Sequence, residues 1–403
     1  MDNKKYNFKV QSHSVVPRIK FNEKVGDYVK YGENNRFPQE LIKYSYGSSI
    51  HSTCIRSIVE NIIGNGLVCN IDDILTRTNS DGDTLNDIFL KISDDYYLYG
   101  GYSLEIIWNN AKDKISLYHI PFQYLRAKEK DFRGKIPGYF LSANWDKLGF
   151  FNKDKDIPYL PTFNPETKQS NSIFVKKKYK PGQEYYPLPE YIAALRILEL
   201  DMQIDDFHVN NMKNGLKPSV SITTFTGGND EQVKEVEKQI NDNYAGAENA
   251  GAVIYMDVED PAKAPIINPI QQNGNDKYYI EINSMSTQKI LTAHRITSPM
   301  LVGIKDNVGL GNNADEIKTA QDLFLTTVIA PLQSQILAGL EFVLNSENEE
   351  IILGVENINI FPSIDEKESK VNTSDNSDLG EDSQLENKID TLDKINTTVE
   401  NNG

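Results

Sequence analysis

The chain has 403 residues, room for two to four structural units at roughly 100–200 residues per domain. Hydrophobic residues make up 39 % and charged residues 25 %, so most of the chain can bury a core. A net charge of −16 argues against a repressor or a packaging histone, because sequence-independent binding to DNA depends on Lys and Arg displacing counterions from phosphates. It leaves room for a protein past which DNA slides.

The two cysteines, Cys54 and Cys69, form no CxxC motif and suggest reduced thiols inside a cell rather than zinc ligands. The N-terminus MDNKKYNFKV lacks the apolar run of a secretory signal, and no stretch reads as the roughly 18 apolar residues of a membrane span. The expectation is a soluble chain, without membrane association, whose assembly begins in a cytoplasm.

Residues 1–34 read as a polar arm. Pro38 suits a first helical turn, and Ser48 or Ser49 can cap a second helix. Ile50, Cys54, Ile58 and Ile62 repeat at i+4 in that helix until Gly64 and Gly66 stop it. A third helix spans Thr84 to Tyr99 and ends at Gly100-Gly101. The aromatic, β-branched stretches YSLEIIW, ISLYHI, YFLSANW and SIFVKKKY then predict an antiparallel sheet in an α+β unit. After Pro187 and Pro189 a long helix covers 190–214, with two apolar stripes that imply burial on more than one side.

Residues 217–258 read as β–α–β: the strand SVSITTF, a helix with a capping box at Asn229 and Gln232, and the strand AGAVIYMD. A module this small makes little core alone and should gain burial from copies of itself. The helix over 276–297 carries Ser284, Ser286, Thr287 and Gln288 where a core helix would be apolar. A glycine-dotted loop with Lys305 and Asp306 follows, and Asn312 caps a long apolar helix that Pro331 should kink. A last strand lies in 351–361. From Ile364 onward about eleven acids against four lysines make a composition too polar to order itself.

Motifs of catalysis are missing. There is no GxxxxGK[ST], HExxH or GxSxG, and GIKDNVGLG has its lysine ahead of its later glycines with no strand feeding it. The pairs Asp72-Asp73, Asp94-Asp95 and Asp205-Asp206 cannot each clamp a metal, since neighbouring helical residues point about 100° apart. His119 reads as a structural histidine at a strand end, and His294 as a helix cap or a subunit contact. Lys176-Lys177-Lys178 reads first as solvated edge protection and second as a charged partner surface. No enzyme activity, metal or cofactor is expected.

Five stretches, in order, resemble the portal proteins of tailed phages, of the short single-chain type found in long-tailed phages. They are YGENNRFPQELIKYSYGSSIHSTCIRSIVENIIGNGL, DDYYLYGGYSLEIIWN, YIAALRILELDMQIDDFHVNNMKNGLKPSVSITT, QKILTAHRITSPMLVGI and NNADEIKTAQDLFLTTVIAPLQSQI. Many relatives have V-P-P where this chain has Thr297-Ser298-Pro299. The resemblance implies an α+β subunit of a ring, usually of twelve copies, at one capsid vertex, through which double-stranded DNA is packaged and ejected. It implies a wing over 35–189, stem helices over 190–216 and 276–297, and a clip over 217–275. A tunnel loop over 298–313 and a kinked helix with a terminal strand over 314–363 follow, ahead of the acidic tail 364–403.

Its implied partners are further copies of itself, the terminase large subunit, the major capsid protein and scaffold, and a head–tail adaptor. Lys305, Asp306 and Asn307 become the candidate DNA contacts, and Ser284, Thr287 and Gln288 the channel-lining face. The rival readings are a phage DNA-processing enzyme using the paired acids, and a cytoplasmic adaptor with an acidic tail.

Overall fold

The structure, a computed structural model, describes residues 23–145, 157–213, 218–224, 231, 234, 235, 238, 252–257, 275–304, 313–347 and 350–358. It is α+β and divides into two compact units. One comprises Pro17–Ser45, Ser52–Ile192 and Thr292–Gly403; the other comprises Met1–Val16, Tyr46–His51 and Ala193–Leu291.

The larger unit is built around a helix that turns straight into a strand. Helices α1 (Phe37–Gly47) and α2 (Ser49–Ile63) lead through β3 (Leu67–Cys69) and the short α3 (Asp72–Thr76) to α4 (Leu85–Tyr99), after the small hairpin of β1 (Lys24–Val25) and β2 (Tyr28–Val29). Thr84 and Asp87 form a reciprocal capping box at the start of α4. Gly100 ends it with φ 82°, and a Cβ there would stand 2.4 Å from the Leu188 carbonyl, so only glycine fits.

The chain continues as β4 (Gly101–Trp108), the centre of an antiparallel sheet between β5 (Ile115–His119) and β9 (Asn171–Lys177). Leu104 faces His119 on one side and Phe174 on the other. Tyr102, Leu104 and Ile106 alternate into the core, all fully buried. A second sheet joins β6 (Leu125–Ala127), β7 (Gly138–Leu141) and β8 (Tyr159–Pro161).

The C-terminal part of this unit is a bent helix, α7 (Asn313–Phe324) and α8 (Ala330–Leu344), followed by β12 (Leu353–Val355), which pairs antiparallel with β3. Tyr102 Oη donates to the Ile336 carbonyl at 2.9 Å, which seats α8 on the sheet. Gly339 makes room for that hydroxyl: a Cβ there would lie 2.3 Å from it.

The smaller unit contains α5 (Leu195–Lys213), β10 (Pro218–Thr224), β11 (Ala252–Asp257) and most of α6 (Asn275–Ala293). The strands β10 and β11 pair in parallel, with helical residues Glu231, Lys234, Glu235 and Lys238 between them, as the β–α–β pattern predicts. Phe207 of α5 stacks on Tyr279 of α6 at 5.1 Å. Ser48 caps α2 by accepting from the His51 amide at 3.3 Å, and its hydroxyl donates to Asp201 at 2.7 Å.

Several expectations change. YFLSANW is a strand only over Gly138–Leu141, and the three-residue strands β6 and β8 are too short to announce themselves by alternation. The helix expected over 190–214 opens as a 3-10 turn, Glu190–Ala194. One helix, Ile317–Glu347, is in fact long and apolar enough by composition to cross a membrane, but half of its most apolar window is buried inside the protein, as a core helix is. The expected caps Asn229 and Asn312 lie outside the described residues.

Candidate functional site

The helix α6 ends at Ala293, four residues before the expected end. His294 does not cap it from the surface. The ring is buried, shares a 2.6 Å hydrogen bond with Tyr97 Oη, and stacks on Tyr191 at 5.1 Å. Arg295 then takes the left-handed conformation with φ 58°, unusual for a side chain of its size, and reverses the chain. Ser298 caps a 3-10 turn over Pro299–Val302, which Gly303 closes at φ 75°.

Three side chains hold this exit segment to backbone carbonyls. Arg295 Nη2 donates to Thr327 O at 3.0 Å, Thr297 Oγ1 to Ala320 O at 2.9 Å, and Ser57 Oγ to Leu301 O at 3.2 Å. The first of these has a cause in the sequence. Pro331 has no N–H to offer the carbonyl four residues back, and that carbonyl belongs to Thr327. The expected kink takes the form of a π-turn over Leu325–Ile329, just ahead of the proline. Thr326 and Thr327 add to it by donating to the carbonyls of Asp322 and Leu323, each at 2.7 Å. The Thr-Thr pair four and five residues before Pro331 was a readable signal for this bend, and sequence reasoning passed over it.

Lys305, Asp306 and Asn307 lie outside the described residues. On α6, Ser284 and Gln288 are exposed and Thr287 is half-buried; their i, i+3, i+4 spacing puts them on one face. Ser286, Ile290 and Leu291 are buried.

The paired acids do not converge. Asp95 is buried and accepts from His119 Nε2 at 2.8 Å and from the Phe122 amide at 2.9 Å, a structural use of both residues. Burial pushes the Asp95 carboxyl up, against the pull of His119. Asp205 and Asp206 are exposed, and Asp73 lies 3.6 Å from Arg77. Among the described residues no three His, Cys, Asp or Glu side chains form a group that could hold a metal. Cys54 and Cys69 are both buried and free, and burial pushes the Cys54 thiol up to about 12.

The lysine run is less solvated than an edge strand needs. Lys177 Nζ donates to the Tyr185 carbonyl at 3.0 Å, and burial pushes its amine down to about 8; Lys178 pairs with Glu190.

The profile of the family described as "Phage portal protein" matches residues 70–358, from just after β3 through β12. The chain belongs to the phage portal protein family. A curated relative, the "Probable portal protein" of Escherichia phage P2, is 24 % identical over 179 residues, 44 % of this chain. That match spans 51 % of the relative, about half its length. Among solved structures, the portal fold recurs in the "Neck of empty GTA particle computed with C6 symmetry", at TM-score 0.55 and 18 % identity, over 87 % of this chain and 92 % of that one. It recurs in the "Neck of native GTA particle computed with C12 symmetry", at TM-score 0.53 and 16 % identity, over 86 % and 91 %.

Proposed function

We propose that this chain is the structural subunit of a portal ring at one vertex of a virion, and that the ring's bore conducts double-stranded DNA during packaging and ejection. The observation that carries the reading is the surface of the smaller unit. Phe207, Val209, Ile280 and Met285 stand exposed on α5 and α6. Apolar side chains exposed on two such helices find burial against neighbouring copies closed by rotational symmetry. Twelve copies match the C12 symmetry in the name of the GTA neck.

The exposed Ser284 and Gln288, with the half-buried Thr287 on the same face, suit a channel wall. Neutral hydroxyls and amides offer a duplex, which bears one charge per roughly 1.7 Å, no strong grip. In this reading the domains take the bounds given above, and α5 and α6 are the stem helices. Lys305 supplies one weak phosphate contact per copy, and Asp306 limits its hold. The terminase large subunit, the major capsid protein with its scaffold, and a head–tail adaptor are the proposed outer partners, met in the host cytoplasm during assembly.

Sizing and end-on imaging of the purified chain test this directly. A ring runs many-fold above 45.6 kDa and shows a central hole. A compact 45.6 kDa particle at assembly concentrations ends the ring reading. Given a ring, Lys305→Ala is expected to assemble normally and to change DNA packaging or retention; failed assembly would refute its role as a channel contact.

A further inference from the structure

The ring reading leaves one surface unused, at the end of β9. Lys178 pairs with Glu190, and Tyr179 beside it is 83 % exposed, followed by Lys180. Glu190 adjoins Tyr191, whose ring stacks on His294, and His294 adjoins the exposed Arg295. These contacts bring the backbone at Arg295 to the same part of the larger unit as the lysines, and burial first, then the charges of Lys180 and Arg295, lower the Lys178 amine. Lys178, Lys180 and Arg295 thus bring three cations together, with Glu190 paired to the first of them, in a chain with 58 acids and 42 cations. The Arg295 bond to Thr327 engages one nitrogen of its guanidinium, and the group has five donor hydrogens.

We infer that the patch of Lys178, Tyr179, Lys180 and Arg295 docks the acidic segment 375–386 of this chain's own C-terminal tail, from the same copy or a neighbour. The segment reads DNSDLGEDSQLE. It carries Asp375, Asp378, Glu381, Asp382 and Glu386, and no cation occurs from Val371 to Asn387. Leu379 and Leu385 give the Tyr179 ring something apolar to meet. From Ile358, the last described residue, to Asp375 the chain can extend up to about 55–60 Å. Single exposed ion pairs contribute little, but several on one tether act at high effective concentration. The contact is therefore expected to be strongly salt-sensitive.

The test is zero-length carbodiimide cross-linking of the assembled full-length chain, with links mapped by mass spectrometry. At low salt, links from Lys178 and Lys180 to the acids of 375–386 should dominate, and should fall about ten-fold in about 0.5 M NaCl, where the screening length is a few ångströms. Lys180→Glu should weaken them, and adding Glu381→Lys and Asp382→Lys should restore a link of opposite polarity. If Lys180→Glu disturbs folding, neutralising the five tail acids to Asn and Gln leaves the patch itself unchanged in sequence and should abolish the same links. Links spread evenly over other surface lysines such as Lys112 and Lys135 would overturn the proposal. So would protection of Lys180 from acetylation by a short DNA duplex but not by the tail, which would assign the patch to nucleic acid.

Discussion

The guanidinium of Arg295 donates to the carbonyl of Thr327 at 3.0 Å, the very carbonyl that Pro331 leaves without its helical partner. One residue at the exit of α6 thereby completes the hydrogen bonding of a helix more than thirty residues away in sequence. Its left-handed backbone, with φ 58°, is sustained by that bond and by the buried His294 before it.

This makes Arg295 and Pro331 a coupled pair. Arg295→Gln is expected to cost about 1 kcal/mol, the net value of an ordinary intramolecular hydrogen bond, because water at this exposed site screens the guanidinium charge. In a Pro331→Ala background residue 331 regains an N–H for Thr327, and the same change should cost about 0.5 kcal/mol less. Unfolding of all four proteins at one concentration measures the cycle, and strictly additive losses would mean that Arg295 does not answer for the proline.

Gly339 lies inside α8, where helix propensity favours alanine by about 1 kcal/mol. The structure reverses that sign. A Cβ would press to 2.3 Å from Tyr102 Oη, and relieving the clash breaks the Tyr102 bond to Ile336 or lifts α8 off the sheet. Gly339→Ala should therefore destabilise by about 1–3 kcal/mol. Tyr102→Phe removes the obstructing hydroxyl and should make the same substitution tolerable; a stabilising Gly339→Ala in the parent chain would contradict the packing.

Arg77 and Glu347 form an unequal ion pair. Glu347 accepts two bonds from Arg77, at 2.9 and 3.0 Å, and one from the Ile115 amide at 2.7 Å. The Glu347 side chain is 1 % exposed and that of Arg77 25 %. Arg77→Ala strands a buried carboxylate and should cost about 3–5 kcal/mol. Glu347→Gln keeps an acceptor in place and should cost less, since Arg77 can turn to water and to Asp73. Chemical unfolding midpoints at neutral pH order the two variants, and equal losses would argue against the asymmetry.

His51 is fully buried on α2, and burial pushes its pKa down from 6.5 to about 3. Between those values the unfolded chain binds a proton that the folded chain refuses, so stability is complete above pH 6.5 and falls as pH drops towards 3. The full difference is at most roughly 4–5 kcal/mol. His51→Leu should flatten the dependence of melting temperature on pH between about 7 and 4. An unchanged slope would place the acid sensitivity elsewhere.

Much of this molecule is legible in residue order, because the signals are local. Thr84, Asp87 and Gly100 mark both ends of α4, Tyr102, Leu104 and Ile106 alternate along β4, and the β–α–β pattern appears as read. Five family motifs in order pointed to the portal family, and the matching profile over 70–358 bears that out. The proposed DNA contacts Lys305, Asp306 and Asn307 were read from a loop outside the described residues, and they stand as proposals.

What residue order could not disclose are partnerships across long separations. That Arg295 answers Pro331, that His294 sits between two tyrosines rather than at a surface, and that Gly339 serves the Tyr102 hydroxyl all depend on elements meeting in space. Local propensity describes what a segment does with its own neighbours. A buried carbonyl, ring or hydroxyl must be satisfied by whatever the packed chain brings within about 3 Å, and only the tertiary structure chooses that partner.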